Sequence, residues 1–392
     1  MQILRTITRR PSRSILTALG IAIGIFALVV VGALAERVQQ IVGGGVSYYG
    51  TRIIVQDAAN DGNFFRLTNP VNLDRLEPVR ALDGVEAAFP EVTMLYADAK
   101  RGENSFGQPP FIIGRDPEAN AKDPQPLKVR AGRDLKAGER SVAVLGEDLQ
   151  KQLGVKVGET IIANGSTFTV VGVYDKNFTI NDTAAVVPLV DAQLLSRTPI
   201  TSTGASSKLK VTEAASQIVV FAKDGIDPQA LTKQITAGVP GVKALDPESF
   251  KRQVANSTRL FNTVVFGAAL IALLIGSLSV VNTMVMAVAE RTREIGIRKA
   301  IGATDGRILR DFIGEAAVIG LLGGLLGIFF GELLVLFINR YTASNGSVLF
   351  QVSPRLLLGA YSFSVFLAVV AGLWPAFKAS RMQPIDALNR ER

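Results

Sequence analysis

Four stretches of the chain are apolar on every face, with neither the alternation of a half-buried strand nor the one-sided stripe of a surface helix. Ser14–Ala35 carries no charge, Leu260–Ala289 is uncharged for thirty residues, Ala316–Ile338 contains one charge, Glu332, and Leu356–Phe377 contains none. A helix of about 20 apolar residues crosses about 30 Å of hydrocarbon. Each stretch is therefore predicted to be a membrane helix, with bounds 14–35, 260–289, 316–338 and 356–377. A core helix of a soluble protein rarely stays uncharged for so long. The first stretch follows a basic start (Arg5, Arg9, Arg10, Arg13), as a secretory signal does. A signal's apolar core is shorter, about 7–15 residues, so 14–35 reads as an uncleaved anchor.

The interval 36–259 has a different rhythm. Short β-branched runs are separated by Gly, Asp, Asn and Pro. Strands are predicted at Thr51–Gln56, Phe111–Gly114, Ser141–Leu145, Thr160–Ala163, Thr167–Tyr174, Ala184–Pro188 and Gln217–Ala222. Helices are predicted at Asp74–Leu82, Glu147–Leu153, Val190–Leu195 and Pro228–Ala237. The mixture is α+β. Asp74–Val85 and Pro228–Val242 share a pattern: a helix, then an Asp-Gly-Val or Pro-Gly-Val turn, then a strand. That pattern points to a duplicated strand-helix-strand unit with 101–210 as an inserted subdomain. Arg197–Lys210, rich in Ser and Thr, is expected to be a loop.

Composition narrows the chemistry. Hydrophobic residues are 48% and charged residues 19%, with a mean hydropathy of +0.30, as expected of lipid-borne segments joined to an ordinary folded domain. The chain has no Cys and no His. Disulfides, thiol nucleophiles, a Ser-His-Asp triad and the usual zinc ligand sets are thereby excluded. No other catalytic constellation stands out, so the chain is expected to be no enzyme.

The net charge of +8 raises the question of nucleic acid, but its distribution argues against that partner. Between Glu36 and Arg259 there are 26 basic and 26 acidic residues, so the excess lies in short segments beside the apolar stretches. The first thirteen residues carry four Arg; the loop 290–315 carries Arg291, Arg293, Arg298, Lys299, Arg307 and Arg310; the tail 378–392 carries Lys378, Arg381, Arg390 and Arg392. The loop 339–355 holds only Arg340 and Arg355. Lys and Arg near helix ends stay in the cytoplasm. Both termini and the loop 290–315 are thus predicted to be cytoplasmic, with 36–259 outside a multi-pass cell (inner) membrane protein.

Small residues at four-residue spacing let helix backbones approach in lipid. Gly20 and Gly24 in the first helix, and Gly320, Gly323, Gly324, Gly327 and Gly331 in the third, are predicted to be packing positions. Glu332 would be costly at mid-bilayer. It lies close to the outer end of its span, where its carboxylate is expected to snorkel to the surface.

The segment Glu290–Ala303 follows the second helix without a break and reads Glu290, Arg291, Thr292, Arg293, Glu294, Ile295, Gly296, Ile297, Arg298, Lys299, Ala300, Ile301, Gly302, Ala303. Chemically it is a short amphipathic element at the membrane surface, or simply a solvated basic loop. As a sequence, E-R-x-R-E-I-G-I-R-K-A-I-G-A resembles the FtsX-like, MacB-type permeases of ABC transporters. Arg13–Gly24 resembles the family's first-helix entry. Trp374-Pro375-Ala376 and Gln383–Leu388 resemble its closing motif, and Ala131-Gly132-Arg133, Val142–Gly146, Val157-Gly158-Glu159 and Phe168–Val173 its periplasmic core.

This resemblance implies one helix, a large outer domain, then three helices. It implies a cytoplasmic ABC ATPase docked on Glu290–Ala303, with ATP and Mg on that partner and no cofactor on this chain. A second permease chain, forming a homodimer, and a periplasmic adaptor or membrane-fusion protein are further implied partners, beside membrane lipids. The implied work is passed across the membrane to the outer domain, for export of peptides, drugs or lipophilic substrates. Lipoprotein extraction of the LolC/LolE kind, FtsX-type regulation of cell-wall hydrolases and a membrane-anchored ligand sensor stand as alternatives. The 392 residues contain no G-x-x-x-x-G-K-[ST] phosphate loop, so the ATPase is expected on another chain.

Overall fold

The computed structural model describes residues 11–60, 69–98, 109–196, 210–343 and 348–383. The chain divides into two compact units. Met1–Arg37, Arg259–Asn339 and Phe350–Arg392 form a membrane unit; Val38–Thr258 and Arg340–Leu349 form an outer unit. Residues 197–209 of the predicted loop Arg197–Lys210 and residues 101–108 of the predicted insertion lie outside the described residues.

Helix α1 spans Pro11–Tyr49, followed by β1 (Ile53–Asp57), β2 (Val71–Asn72), α2 (Leu76–Arg80) and β3 (Val85–Leu95). Next come β4 (Phe111–Arg115), α3 (Pro117–Ala121), β5 (Val129–Gly132), β6 (Val142–Leu145), α4 (Glu147–Leu153), β7 (Thr160–Ala163), β8 (Ser166–Tyr174), β9 (Ala184–Pro188) and α5 (Leu189–Leu195). The chain then forms β10 (Ala214–Ala215), β11 (Gln217–Ala222), α6 (Pro228–Gly238), β12 (Val242–Leu245), α7 (Pro247–Glu290), α8 (Thr292–Ala300), α9 (Asp305–Ala343) and α10 (Pro354–Ser380).

Ten strands of the outer unit share one sheet in the order β12-β1-β11-β3-β4-β9-β6-β8-β5, with β7 on β8. The first four belong to two strand-helix-strand units, β1-α2-β3 and β11-α6-β12. Ile53 pairs Val220, Ile54 pairs Leu245 and Val219 pairs Phe89, all antiparallel. The two units therefore interleave, with β1 parallel to β3 and β11 parallel to β12. The repeated turns noted in the sequence are the exits of the two crossover helices. Gly84 and Gly241 sit there at φ +97° and +79°, the left-handed region that only glycine enters without strain. Helix α6 begins as its residues require: Asp227 accepts from the backbone N–H groups of Gln229 and Ala230, and Pro228 needs no N–H at the first position. Its Leu231 and Ile235 are buried against Ile53, Val55, Ile218 and Val220.

The predicted helix at Asp74–Leu82 is shorter than its pattern indicates. A single 3-10 turn, Leu73–Arg75, capped by Asn72, precedes α2 at Leu76–Arg80. Pro78 lacks the N–H that a longer helix would use. Strand β4 leads into the second half of the sheet, where it lies parallel to β9, and β6 lies parallel to β8. Leu145, Leu149, Phe168 and Val170 form the buried centre of this half.

A cluster of buried charges holds the end of α1 within the outer unit. The Arg52 guanidinium lies 3.2 Å from the Tyr48 ring centroid and pairs with Asp123. Arg115 on β4 pairs with Glu91 on β3 at 2.8 Å and donates to the Tyr48 hydroxyl at 2.6 Å. Gln217 on β11 donates to the other Glu91 oxygen at 2.8 Å. Burial pulls the Arg52 guanidinium down to about 10, against the opposing pull of Asp123, so it stays charged at neutral pH. Removing one member would strand a buried charge, which costs about 3–5 kcal/mol.

Four helices are long and apolar enough to cross a membrane among the described residues: α1, α7, α9 and α10. Three outrun the apolar stretches that predicted them. Helix α1 has 39 residues, α7 has 44 and α9 has 39. At 1.5 Å per residue these are about 58–66 Å long, twice the hydrocarbon thickness. Hydropathy marks where lipid begins, whereas a helix continues until something breaks its hydrogen-bond ladder.

Helix α9 is wedged between two neighbours. Cβ atoms added at Gly323 and Gly327 would stand 2.8 and 2.7 Å from the carbonyl oxygens of Ala18 and Ala22 on α1, and one at Gly331 2.9 Å from Val29. On another face, Gly320 and Gly324 meet Ala368 and Ser364 of α10 at 2.7 and 2.1 Å by the same measure. Gly20 lies against Ser279 of α7, beside a hydrogen bond from Thr17 to Thr283 at 2.7 Å, and Gly24 is buried. The chain entering α10 is tied to α1: Ser353 donates from its backbone and hydroxyl to Glu36, and Gln351 N–H donates to Ala33. Glu332 is half-exposed.

Gly327→Ala is expected to destabilise the membrane unit by about 1–3 kcal/mol through overpacking. Gly359→Ala, whose Cβ would meet nothing within 4 Å, is expected to leave stability unchanged or raise it. Thermal unfolding of the two variants in the same detergent checks this contrast.

Candidate functional site

The loop between α7 and α9 is built as a rigid bracket. Helix α7 breaks at Arg291, whose ψ of 16° turns the chain. The Thr292 hydroxyl donates back to the carbonyls of Val288 and Ala289, both at 3.0 Å. Helix α8 then runs nine residues and stops in a defined way. Ala303 N–H donates to Arg298 O and Gly302 N–H to Lys299 O, the pair of bonds that closes a helix through a left-handed residue. Gly302 supplies that residue at φ +99°.

The turn at Arg291 decides which way α8 faces. Thr292, Ile295 and Gly296 point inward and are buried. Ile295 joins a core with Met284, Val288, Ile308, Phe312 and Ala379, against which Ala303 is partly buried. Ile297 and Ile301 point outward, 48% and 81% exposed. Arg293, Glu294, Arg298 and Ala300 are exposed around them, as is Glu290 at the end of α7. The predicted apolar set of three isoleucines is thus divided, one inside and two outside. Read as a helix starting at Arg291, the spacing places Arg293, Ile297 and Ile301 on one face, a signal the alternation of charges had hidden.

Ion pairs fasten the bracket. Arg291 pairs with Glu315 on α9 at 3.0 Å, where the carboxylate is largely shielded. Lys299, nearly buried, pairs with Asp305 at 2.8 Å and donates to the Met382 carbonyl at 3.0 Å. Arg298 joins Glu294 at 2.5 Å and Asp311 at 3.4 Å, both at the surface. Helix α8 is therefore tied to α9 and to the chain leaving α10, while its outer face offers two bare isoleucines ringed by charge. Exposed apolar side chains rimmed by polar groups are found at protein and membrane interaction sites alike. The part of the closing motif at 384–388 lies outside the described residues.

This architecture defines a multi-pass membrane protein with an α+β domain between its first and second apolar helices and an amphipathic bracket after the second. Residues 14–238 match the MacB-like periplasmic core domain, and residues 266–384 match the FtsX-like permease C-terminal domain. The chain belongs to the MacB/FtsX-type family of ABC transporter permeases. It is 28% identical to the uncharacterized ABC transporter permease YknZ of Bacillus subtilis (strain 168), over 99% of this chain and 98% of that one. It is 28% identical to the macrolide export ATP-binding/permease protein MacB of Campylobacter jejuni, covering 97% of this chain and 59% of that longer one. The solved periplasmic region of MacB from Actinobacillus actinomycetemcomitans overlays 53% of this chain and 94% of its own length, with 16% identity and a TM-score of 0.37.

Ile295→Ala is expected to destabilise the membrane unit by about 2–5 kcal/mol, as for other buried Ile truncations. Ile301→Ala is expected to change stability by no more than about 0.5 kcal/mol. Thermal unfolding of both variants in detergent separates the inner from the outer isoleucine.

Proposed function

We propose that this chain is the membrane subunit of an ATP-driven machine, in which α8 receives a cytoplasmic ATPase and the outer domain performs the work. The observation that carries the reading is the exposure of Ile297 and Ile301 on a bracket pinned to α9 and α10. A solvated positive loop has no need of a fixed apolar knob. In this reading the two isoleucines enter an apolar groove on the ATPase, and Arg293 with Arg298 meets acidic groups at its rim. Because Arg291 and Lys299 lock α8 to its neighbours, a push on α8 is delivered to α7 and α9 instead of being lost in loop motion.

Further features support it. The bracket follows directly on α7, and both α7 and α1 run helically well past their apolar stretches. The loop charges favour a topology with both termini and α8 in the cytoplasm and the outer domain beyond an inner membrane. ATP and Mg belong to the partner, which carries out the catalysis. YknZ, matched over 98% of its length, is described as a permease, whereas the longer MacB is described as ATP-binding and permease together. Two permease chains pair so that two ATPases can close on one another. Export of peptides, drugs or other lipophilic substrates, with a periplasmic adaptor, is the cargo reading.

The test is co-purification. From native membranes in mild detergent, the chain is expected to bring down an ABC ATPase, and the Ile297→Glu/Ile301→Glu variant to lose it at least ten-fold while unfolding at the wild-type temperature. An ATPase absent from the wild-type preparation, or retained by the variant, contradicts the reading.

A further inference from the structure

One face of α10 changes character along its length. Phe366, Val370 and Leu373 are exposed and apolar; Trp374 and Phe377, 61% and 48% exposed, follow; Lys378 and Arg381 complete the same stripe. These positions recur every three or four residues, so they share one side of the helix. The opposite side, with Ala368, Ala371, Ala376 and Ala379, is packed in the core. From Phe366 to Arg381 the stripe is about 22 Å long at 1.5 Å per residue. That length, running from apolar through aromatic to cationic, matches one leaflet from acyl chain to headgroup.

The cations at its end differ from three of the six in the neighbouring loop. Arg291, Arg298 and Lys299 each pair with a carboxylate of this chain. Lys378 and Arg381 have no acidic partner among the described residues. They lie instead over the exposed rings, Lys378 Nζ 5.5 Å from the Trp374 centroid and Arg381 Cζ 4.3 Å from that of Phe377. An aromatic ring orients a cation without cancelling its charge, and Trp favours the headgroup level of a bilayer.

We propose that this stripe is a binding site for an anionic phospholipid. Its acyl chain lies along Phe366, Val370 and Leu373, and its phosphate is held by Lys378 and Arg381 above Trp374 and Phe377. The site requires only that α10 spans the membrane, and it is independent of the ATPase reading of α8.

The experiment uses the full chain purified in detergent, with phosphatidylglycerol, phosphatidylcholine or inorganic phosphate added separately and bound lipid counted by native mass spectrometry. Wild type is expected to retain phosphatidylglycerol at least ten-fold over phosphatidylcholine, and Lys378→Gln/Arg381→Gln to lose that preference. Arg307→Gln/Arg310→Gln, which removes the same charge elsewhere, is expected to keep it. Inorganic phosphate at the lipid's concentration is expected not to displace the lipid. Equal retention of the two lipids by wild type, or equal loss in both charge variants, overturns the site. So does displacement by phosphate alone. Phosphatidylglycerol retention unchanged in Lys378→Gln/Arg381→Gln, with ATPase capture lost, assigns the cations to a protein partner and also overturns it.

Discussion

Backbone resting on backbone holds the membrane unit together. Lipid tails are as apolar as leucine, so burying side chains gives little net gain between helices in a bilayer. Close approach gives dispersion contacts along whole helix faces instead. Gly323, Gly327 and Gly331 open one face of α9 to α1, and Gly320 with Gly324 opens another to α10. Ile21, Ile25 and Val29 fill the space left by the missing side chains and are almost fully buried. Every other feature of the unit assumes this wedge: α8 can be a rigid bracket only if α9, to which Arg291 ties it, is itself fixed.

A second constraint operates where α1 ends. Tyr48 and Arg52 sit on either side of the helix terminus and are held by residues from β3, β4, the segment carrying Asp123 and, through Glu91, β11. Buried charge is a poor source of stability but is unforgiving of misplacement. The terminus of α1 therefore has one seating in the outer unit, joined to both halves of the sheet. In the proposed function this seating lets a helix displacement reach the whole outer domain.

Much of the architecture was readable along the chain because lipid and sheet burial impose different rhythms. The runs at Thr160–Ala163, Ala184–Pro188 and Gln217–Ala222 and the helix at Glu147–Leu153 coincide with the observed elements. Strand β5 escaped notice because Val129–Gly132 is mostly exposed and carries Arg130, so no apolar alternation marks it. The bounds read from apolar runs fell short of the helix ends because hydropathy is blind to a helix that continues into water; the family resemblance alone implied that the first two helices extend outward. The glycines announced close packing but not the neighbour, since which helix approaches is settled by the whole bundle. The division of Ile295 from Ile297 and Ile301 follows from helical spacing once Thr292–Ala300 is read as a helix; the turn at Arg291 that sets which side faces inward is not marked by any spacing.

The central proposal is that ATP turnover on the partner ATPase, received through α8, moves the outer domain. Double electron–electron resonance between spin labels at Ile162 and Val264, both exposed, tests it directly in lipid nanodiscs with the partner ATPase present. The account predicts a distance distribution that shifts between nucleotide-free and ATP-bound states, and a shift that vanishes in the Ile301→Glu variant. An unchanged distribution while ATP is being hydrolysed would contradict it.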